Sequence, residues 1–466
     1  MSPLERVAVV GAALYLIVLG VAMQRLAYDL WGALVILPVL VAVSVPLIRR
    51  AFAGPLTAIR PYAWLGLVMK FAGAGAGYEV RFEMYGGAAD AGRYHDVGRS
   101  LAGAVRGGTA SLWTVVPTGT GTRFLEQFTG LVYTVVGSSR LAGFLVFAWM
   151  SYWGLVFLVK AAVVAVPGLA ARRYALLVFL LPSIVYWGSS IGKEAFAGLW
   201  LGVVSYGLAL IVARPERLWT GLVLVAAGLV AVARVRPHFA AIWAGALVIA
   251  LVSRMVREVV VPGGARRRLQ WSAIVPAAVA TVGLAMVVAF TVNVLDPVSA
   301  QEAPGPLADR ISGILASVSG TTDEGGSTFT PIDTSSPAVW PFAAARTLTR
   351  PVLLEARGLA GLLPALEMTC LLTTALVGWR RTLNVPRLVV TTPYLVFAAV
   401  VVLTFGVTFA NVGNLGILVR QRSLVLPLLV LLWAVPPLTG RSGSGHGRRP
   451  ASTRPSWVVA TDEATV

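Results

Sequence analysis

The sequence predicts an all-α protein that crosses a membrane many times, and three features of its composition carry this prediction. Apolar residues make up 57% of the 466 residues, and charged residues make up only 12%, which is about half the charged fraction of a soluble domain. The mean hydropathy is +0.79. At about 20 residues per crossing, this apolar content fills about 10 to 13 transmembrane helices. An ordinary cytosolic enzyme is therefore excluded.

The charge balance and the scarcity of cysteine and histidine narrow the set of partners. The chain carries 38 Lys and Arg against 20 Asp and Glu, a net charge of +18. In a membrane protein such an excess lies in cytoplasmic loops and at lipid head groups, so we expect membrane lipids as partners and no nucleic acid. Cys370 is the single cysteine and the three histidines are far apart. Neither a disulfide framework nor a metal cluster is predicted.

The spans follow from the apolar stretches, taken in chain order. They lie at about 7–24, 30–47, 62–80, 141–165, 174–187, 194–213, 219–233, 239–257, 271–293, 355–378, 389–410 and 423–437. The stretches at 174–187, 219–233 and 423–437 are short for a hydrocarbon core about 30 Å thick, which predicts tilted, merged or broken helices. The membrane domain is thus 1–439, and the polar, Gly/Ser/Pro-rich tail 440–466 is predicted to be disordered.

Basic residues in alternate short connections predict the orientation. By the positive-inside rule these connections are cytoplasmic. Both termini are therefore predicted to lie on the cytoplasmic side of the cytoplasmic membrane. The first stretch lacks a small-residue cleavage site, which predicts an uncleaved first helix. The long connections 81–140 and 294–354 then face outward, and long connections often carry function. The basic connections and the tail contain Arg49, Arg50, Arg60, Arg172, Arg173, Arg214, Arg217, Arg257, Arg266, Arg267, Arg268, Arg380, Arg381, Arg387, Arg448 and Arg449.

The segment 85–98, YGGAADAGRYHDVG, follows the third span and holds the first candidates for catalysis. In a helix, Asp90, Tyr94 and His95 lie close to one face. A carboxylate at the membrane surface beside an aromatic ring and an imidazole can accept the proton of a sugar hydroxyl, so these three are the predicted catalytic residues. Alternatively, Asp90 caps an amphipathic interfacial helix that Tyr94 anchors at the head groups.

A second candidate is the turn in 181–196, LPSIVYWGSSIGKEAF, which carries Lys193 and Glu194 between two spans. A helix that stops and restarts exposes backbone N–H groups, and such a terminus beside an ammonium group suits a phosphate. Lys193 is therefore a predicted phosphate ligand and Glu194 a supporting residue. Alternatively, the turn is a tight hairpin with a Lys–Glu surface pair, in which Gly188 and Gly192 allow close helix packing.

Arginines at the other outer turns complete the predicted phosphate site. Guanidinium groups bind phosphate through two parallel hydrogen bonds, and several around one cavity suit a pyrophosphate or a phosphodiester. The alternative is that they reach out to the interface as lipid anchors. The predicted phosphate ligands here are Arg234, Arg236, Arg350, Arg420 and Arg422, with Glu355 and Asn411 as supporting residues.

Three further charges lie in or near predicted spans. Glu355 and Glu367 are twelve residues apart, at least three helical turns, so they cannot share one local partner. Each is expected to need a cation from another helix. Lys70, inside the third span, is likewise expected to need an anion as a partner.

Four short sequence motifs lie at the predicted outer turns. They are D-A-x-x-Y-H at 90–95, P-S-x-x-x-W-x-x-x-x-G-K-E at 182–194, R-P-x-x-x-E-A at 350–356 and N-x-G-x-L-x-R-Q-R at 414–422. Together with the many spans, this arrangement resembles bacterial integral-membrane glycosyltransferases of the GT-C type and related surface-polysaccharide polymerases. In that class an acid in an early outer loop serves as acceptor base or metal contact. The role falls on Asp90, although the class usually carries the acid in its first outer loop, which here offers only Asp29.

The resemblance implies an enzyme of cell-envelope glycan assembly. It would move a sugar or glycan from a polyprenyl-(pyro)phosphate donor to a glycan or lipid acceptor at the outer face, with Mg²⁺ or Mn²⁺ left open as a cofactor. Two other classes also fit. Buried charges and broken spans suit a transporter or flippase for a lipid-linked or anionic solute. The other alternative is a non-catalytic subunit of envelope assembly.

Overall fold

The computed structural model describes residues 2–87, 90–260, 276–278, 281, 283–285, 329–334, 336–356 and 358–438. Within these ranges the chain is all-helical and has no strand, which confirms the predicted fold class. The predicted tail 440–466, most of the predicted span 271–293 and most of the connection 294–354 lie outside the described residues.

The helices follow one another with short connections. The chain up to residue 260 forms α1 (Pro3–Arg25), α2 (Tyr28–Ala51), α3 (Arg60–Tyr78), α4 (Asp90–Arg106), α5 (Gly121–Val136), α6 (Arg140–Ala165), α7 (Ala171–Leu180), α8 (Pro182–Trp187), α9 (Lys193–Ala213), α10 (Leu218–Val235) and α11 (Pro237–Val260). The chain after residue 335 forms α12 (Trp340–Thr349), α13 (Gly358–Val377), α14 (Trp379–Thr382), α15 (Val385–Thr391), α16 (Pro393–Thr408), α17 (Leu415–Arg422) and α18 (Leu426–Ala434). A π-helical turn, Glu79–Met84, follows α3.

Several of these helices can cross a membrane. In the described part, six helices are long and apolar enough, and two bent pairs raise the number to as many as eight. One bent pair joins α13 to α14 and α15 at 79°, and the other joins α17 to α18 at 58°. The second bend directly follows Arg422, so α17 carries its arginines next to a break in the helix.

The predicted spans are interrupted where proline occurs. The stretch 174–187 is broken into α7 and α8, because Pro182 lacks an N–H and begins a new helix. The stretch 389–410 likewise restarts at Pro393, the first residue of α16. The connection 81–140 contains two helices of its own, α4 and α5, which pack against each other. The site residues of this connection are therefore fixed by regular structure.

Helices α6 and α9 form the tightly packed centre. A Cβ built at Gly154 of α6 would overlap the carbonyl oxygen of Gly198, and one built at Gly202 of α9 would overlap the carbonyl oxygen of Gly154. Small residues allow two helix backbones to approach this closely. The centre of the bundle therefore tolerates no added side chain at these positions.

We expect Gly154→Ala to lower the free energy of unfolding by about 1–3 kcal/mol, because the added methyl group must push the two backbones apart. Thermal unfolding of the detergent-purified protein measures this effect. Gly75→Ala in α3 is the matched control, since a Cβ there has no neighbour within 4 Å. Equal losses in the two variants would contradict the close approach of α6 and α9.

One end of the helix bundle is basic. Arg60 donates to the carbonyl oxygens of Arg49 at 3.1 Å and of Phe52 at 2.7 Å. The connection around 55–59 lines one groove with 170–173, and Arg173 interacts electrostatically with Arg381. We refer to this region, marked by Arg49, Arg60, Arg173 and Arg381, as the basic end. Arginines of several connections predicted to share a membrane face thus lie together.

Candidate functional site

Glu194 is the centre of the candidate site. Its side chain lies in the first turn of α9 and is 2% exposed. Arg420 of α17 binds both carboxylate oxygens, from Nε to Oε1 at 2.7 Å and from Nη2 to Oε2 at 2.9 Å. Arg236 also donates to Oε1. A carboxylate bonded to two guanidinium groups is well satisfied, so Glu194 anchors two cations.

The ends of three helices bring these residues together. Arg236 is the single residue between α10 and α11, since Pro237 has no N–H and a fixed φ and starts a new helix there. The side chain of Asn414 caps α17 by accepting from the backbone N–H groups two and three residues later, at 2.9 and 3.2 Å. The caps and the proline set where each helix begins, and hence where the charges lie.

Asp90 is the exposed carboxylate of the site. It is the first residue of α4, and its side chain is 57% exposed. Arg420 reaches it from Nη1 to Oδ2 at 3.1 Å. One guanidinium thus bridges two carboxylates that differ in exposure to solvent. Glu194 is enclosed by protein, whereas Asp90 is exposed. A ligand can approach Asp90 from its exposed side.

Lys193 borders the site, and Arg234 contacts the same segment, 118–122, that Lys193 contacts. Lys193 donates from Nζ to Oγ1 of Thr122 at 3.1 Å, and Arg234 donates from Nη1 to the carbonyl oxygen of Thr118 at 3.2 Å. Lys193 also interacts electrostatically with Asp90. Within the described residues neither cation forms an ion pair closer than 4.0 Å. Their charges are therefore available to an anionic ligand.

Two residues of the site, Arg81 and Gln421, are not among those predicted from the sequence. Arg81 lies in the π-helical turn after α3, 5.0 Å from the ring centroid of Tyr186, and interacts electrostatically with Arg420. Gln421, with its amide oxygen turned toward Arg236, accepts from that guanidinium. The position of Arg81 at the end of a span was the one available signal. Its contacts depend on how α3 packs against α8, which no local spacing reveals.

Tyr94 and His95, both predicted to lie beside Asp90, have different surroundings in the structure. Both are 1% exposed. Tyr94 interacts electrostatically with Asp90, and burial raises its pKa to about 12. His95 instead bonds through Nδ1 to the hydroxyl of Tyr133 at 2.8 Å, and burial lowers its pKa to about 4. His95, neutral near pH 7, holds α4 against α5, while Asp90 and Tyr94 border the site.

Arg422 faces away from the site although it lies two residues after Arg420. It is fully buried and donates from Nη1 to the carbonyl oxygens of Leu348, at 2.9 Å, and of Arg350. Its Nε and Nη2 have no hydrogen-bond partner among the described residues. Arg422 therefore holds the end of α12 in place, and the structure does not bring Arg350 or Arg422 to Glu194.

Glu355 is paired by its own segment. Arg346 donates to it, and Nε of Arg350 lies 3.0 Å from its Oε1. The cation expected from another helix is Arg346 of α12, and the short turn after α12 brings Arg350 to the same carboxylate. Asn411 lies nearby in sequence to α17 and donates to Oγ1 of Thr334 at 3.1 Å. Both predicted supporting residues thus stabilise the segment before α13.

The buried charges Lys70 and Glu367 form their hydrogen bonds with neutral groups. Lys70 donates to Oγ of Ser151 at 2.9 Å and to the carbonyl oxygen of Ile184 at 2.8 Å. Glu367 accepts from the backbone N–H of Ser183 at 2.6 Å. Within the described residues neither forms an ion pair closer than 4.0 Å, but Arg422 of α17 interacts electrostatically with Glu367, as expected of a cation from another helix. Both side chains form hydrogen bonds with backbone groups of the short helix α8. The interruption between α7 and α8 thus supplies polar partners for both.

The described carboxylates do not form a metal site as they stand. Across the described ranges, no group of three or more His, Cys, Asp and Glu side chains could hold a metal ion. Asp90 and Glu194 are bridged by Arg420. A divalent cation placed between them would displace a guanidinium that is bonded to both.

Comparisons with models of known protein families, with curated proteins and with solved structures gave no match. What the site can do follows from its geometry. Two carboxylates, Asp90 and Glu194, are surrounded by an excess of cations, so the site suits an anionic ligand. The cations are Arg81, Lys193, Arg236 and Arg420.

Proposed function

We propose that the chain is a membrane glycosyltransferase of cell-envelope glycan assembly. It transfers a sugar or glycan from a polyprenyl-(pyro)phosphate donor to a glycan or lipid acceptor at the outer face of the cytoplasmic membrane. The observation that carries the proposal is Arg420, which joins the buried Glu194 to the exposed Asp90. A phosphate ligand and a base for the acceptor hydroxyl are thereby held side by side.

The charge of the site fits the leaving group of such a reaction. A polyprenyl donor keeps its chain in the lipid and its phosphate at the interface, and the phosphate departs with negative charge. Lys193 borders the site and Arg234 contacts the neighbouring segment 118–122, and neither forms an ion pair within the described residues. Cations that are already in position stabilise developing charge strongly, because they need no reorganisation during the reaction.

The proposed reaction is an inverting displacement. The acceptor oxygen attacks the anomeric carbon, the bond from that carbon to the phosphate oxygen breaks, and the bonding electrons leave with the phosphate. Asp90 takes the acceptor proton. One C–O bond forms and one breaks, so atoms and charge balance. Glu194 is unsuited to be the base, because both of its oxygens are bonded to Arg420.

The direct test uses membrane vesicles that contain the protein and a labelled polyprenyl-linked sugar. We expect transfer of label to an acceptor glycan or lipid in the absence of any ion gradient, and loss of transfer in vesicles with the Asp90→Asn variant. Movement of the labelled lipid across the membrane without formation of a new glycosidic bond would overturn the proposal.

We expect Lys193→Gln to lower kcat/KM for the donor about 10- to 100-fold, which corresponds to the loss of one charge-assisted hydrogen bond. The variant should fold normally, since the only hydrogen-bond partner of Lys193 in the described part is the neutral Thr122. Arg99→Gln, at an exposed position of α4, removes the same charge away from the site and should leave donor use unchanged. Equal values of kcat/KM for the donor in the two variants would contradict a contact between Lys193 and the phosphate.

A transporter of a lipid-linked or anionic solute is the second candidate. It is favoured by Lys70, which is fully buried and bonded to the interrupted helix α8, an arrangement that transporters also use. The vesicle assay separates the two, because a transporter moves its solute unchanged and a transferase forms a new bond.

A further inference from the structure

A groove on the lateral surface of the bundle lies between α2, α6 and α9. Its volume is about 450 Å³, within the range of about 300–1,000 Å³ that is typical of ligand sites. Its walls are mostly apolar and aromatic, and they include Leu47 from α2, Trp149, Met150 and Phe157 from α6, and Leu199 from α9. The groove is therefore shaped and lined for a hydrophobic chain.

The groove opens toward the periphery of the bundle. In the apolar window of α2 only 28% of the residues are buried, against 72% for α6. Helix α2 is thus a peripheral helix, and Leu47 on it is 37% exposed. In a membrane the medium at this surface is lipid, so the molecules with direct access to the groove are lipids of the surrounding bilayer.

Two cations lie among the lining residues. Arg50 belongs to the last turn of α2, and Lys160 to α6. The Nζ atom of Lys160 lies 5.1 Å from the ring centroid of Tyr206. Within the described ranges neither Arg50 nor Lys160 forms an ion pair. A negatively charged head group would supply the missing counter-charge, while an uncharged or zwitterionic head group would not.

The groove is remote from the candidate site. Tyr206, which packs on Lys160, lies twelve residues after Glu194 on α9, a distance of about 18 Å at 1.5 Å per residue. Arg50 adjoins Arg49, a residue of the basic end. A single lipid phosphate cannot contact both places, so the groove is not the donor site already described.

We propose that this groove binds an anionic phospholipid of the adjacent leaflet. The phosphate lies between Arg50 and Lys160, and an acyl chain follows the wall formed by Trp149, Met150 and Leu199. Basic pockets between membrane helices recognise anionic head groups in this way, and each cation near the surface strengthens binding about fivefold. The proposal is independent of the reaction proposed above.

Native mass spectrometry of the full chain, purified in detergent and titrated with lipid, tests the proposal. We expect phosphatidylglycerol to bind more tightly than phosphatidylcholine of the same chain length. In Arg50→Gln/Lys160→Gln the affinity for phosphatidylglycerol should fall about 25-fold, and the preference over phosphatidylcholine should disappear. The matched control is Arg49→Gln/Arg387→Gln, which removes the same charge from exposed positions outside the groove and should keep the preference.

A second variant tests the groove itself. Met150→Trp leaves both cations in place but fills the cavity, so it should lower phosphatidylglycerol binding as well. Equal binding of the two phospholipids, or unchanged binding in both groove variants, would overturn the proposal. A polyprenyl phosphate that binds better than phosphatidylglycerol, and loses this advantage in Arg50→Gln/Lys160→Gln, would also overturn it by making the groove a site for substrate lipid.

Discussion

Replacing Asp90 by Asn is expected to lower sugar transfer about 10²- to 10⁴-fold, because the amide keeps the shape of the side chain but cannot take the acceptor proton. Stability should change little. The side chain is 57% exposed, and the amide oxygen of Asn can still accept the hydrogen bond from Arg420. Transfer rates in vesicles and the unfolding temperature in detergent together separate loss of the base from loss of the fold.

Asp96→Asn is the matched control for this prediction. It makes the same chemical change at another exposed position of α4 and should leave transfer intact. If Asp90 only begins a helix, Asn serves equally well there and both variants should be active. Retained transfer in Asp90→Asn would thus show that Asp90 is not the base, and the search would move to Asp29.

Replacing Glu194 by Gln is expected to have the largest effect on stability, about 3–5 kcal/mol. Removing this carboxylate leaves Arg236 and Arg420 next to each other without the acid that both of them bind, and Arg236 is itself only 12% exposed. Buried cations without a counter-charge are costly, so the helix ends at the site should separate. Denaturant or thermal unfolding in detergent measures the loss.

Glu126→Gln provides the comparison. Glu126 binds Arg93 at 2.7 Å, but the side chain of Arg93 is 67% exposed and can return to water. Breaking that pair should cost no more than about 1 kcal/mol. Similar losses in the two variants would show that Glu194 is an ordinary surface partner and not the anchor of the cation cluster.

Much of the fold could be predicted from the sequence because membrane spans obey a strong local rule. A run of about 20 apolar residues has to be helical in a bilayer, since its backbone groups find no other partners there. The spans at α2, α6, α9 and α11 were predicted within a few residues. The interruptions were harder to place, because the break before Pro182 and the bend after Arg422 depend on how neighbouring helices satisfy the free backbone groups.

The candidate site was predictable in its residue types but not in its grouping. Lys193, Arg236 and Arg420 stood out as cations beside helix ends, and the structure brings them to Glu194. Sequence spacing implied that Arg420 and Arg422 act together. Two residues along a helix point about 200° apart, however, so one reaches Glu194 and the other reaches the carbonyl oxygens at the end of α12.

The short helix α8 changes how the buried charges of this protein are understood. A six-residue helix leaves most of its own peptide groups unsatisfied, since the first four N–H and last four C=O groups lack partners within it. Lys70 takes over the carbonyl oxygen of Ile184, and Glu367 takes over the N–H of Ser183. Here two ionisable side chains substitute for the missing main-chain partners of a broken helix. Their burial therefore follows from the architecture of the broken helix.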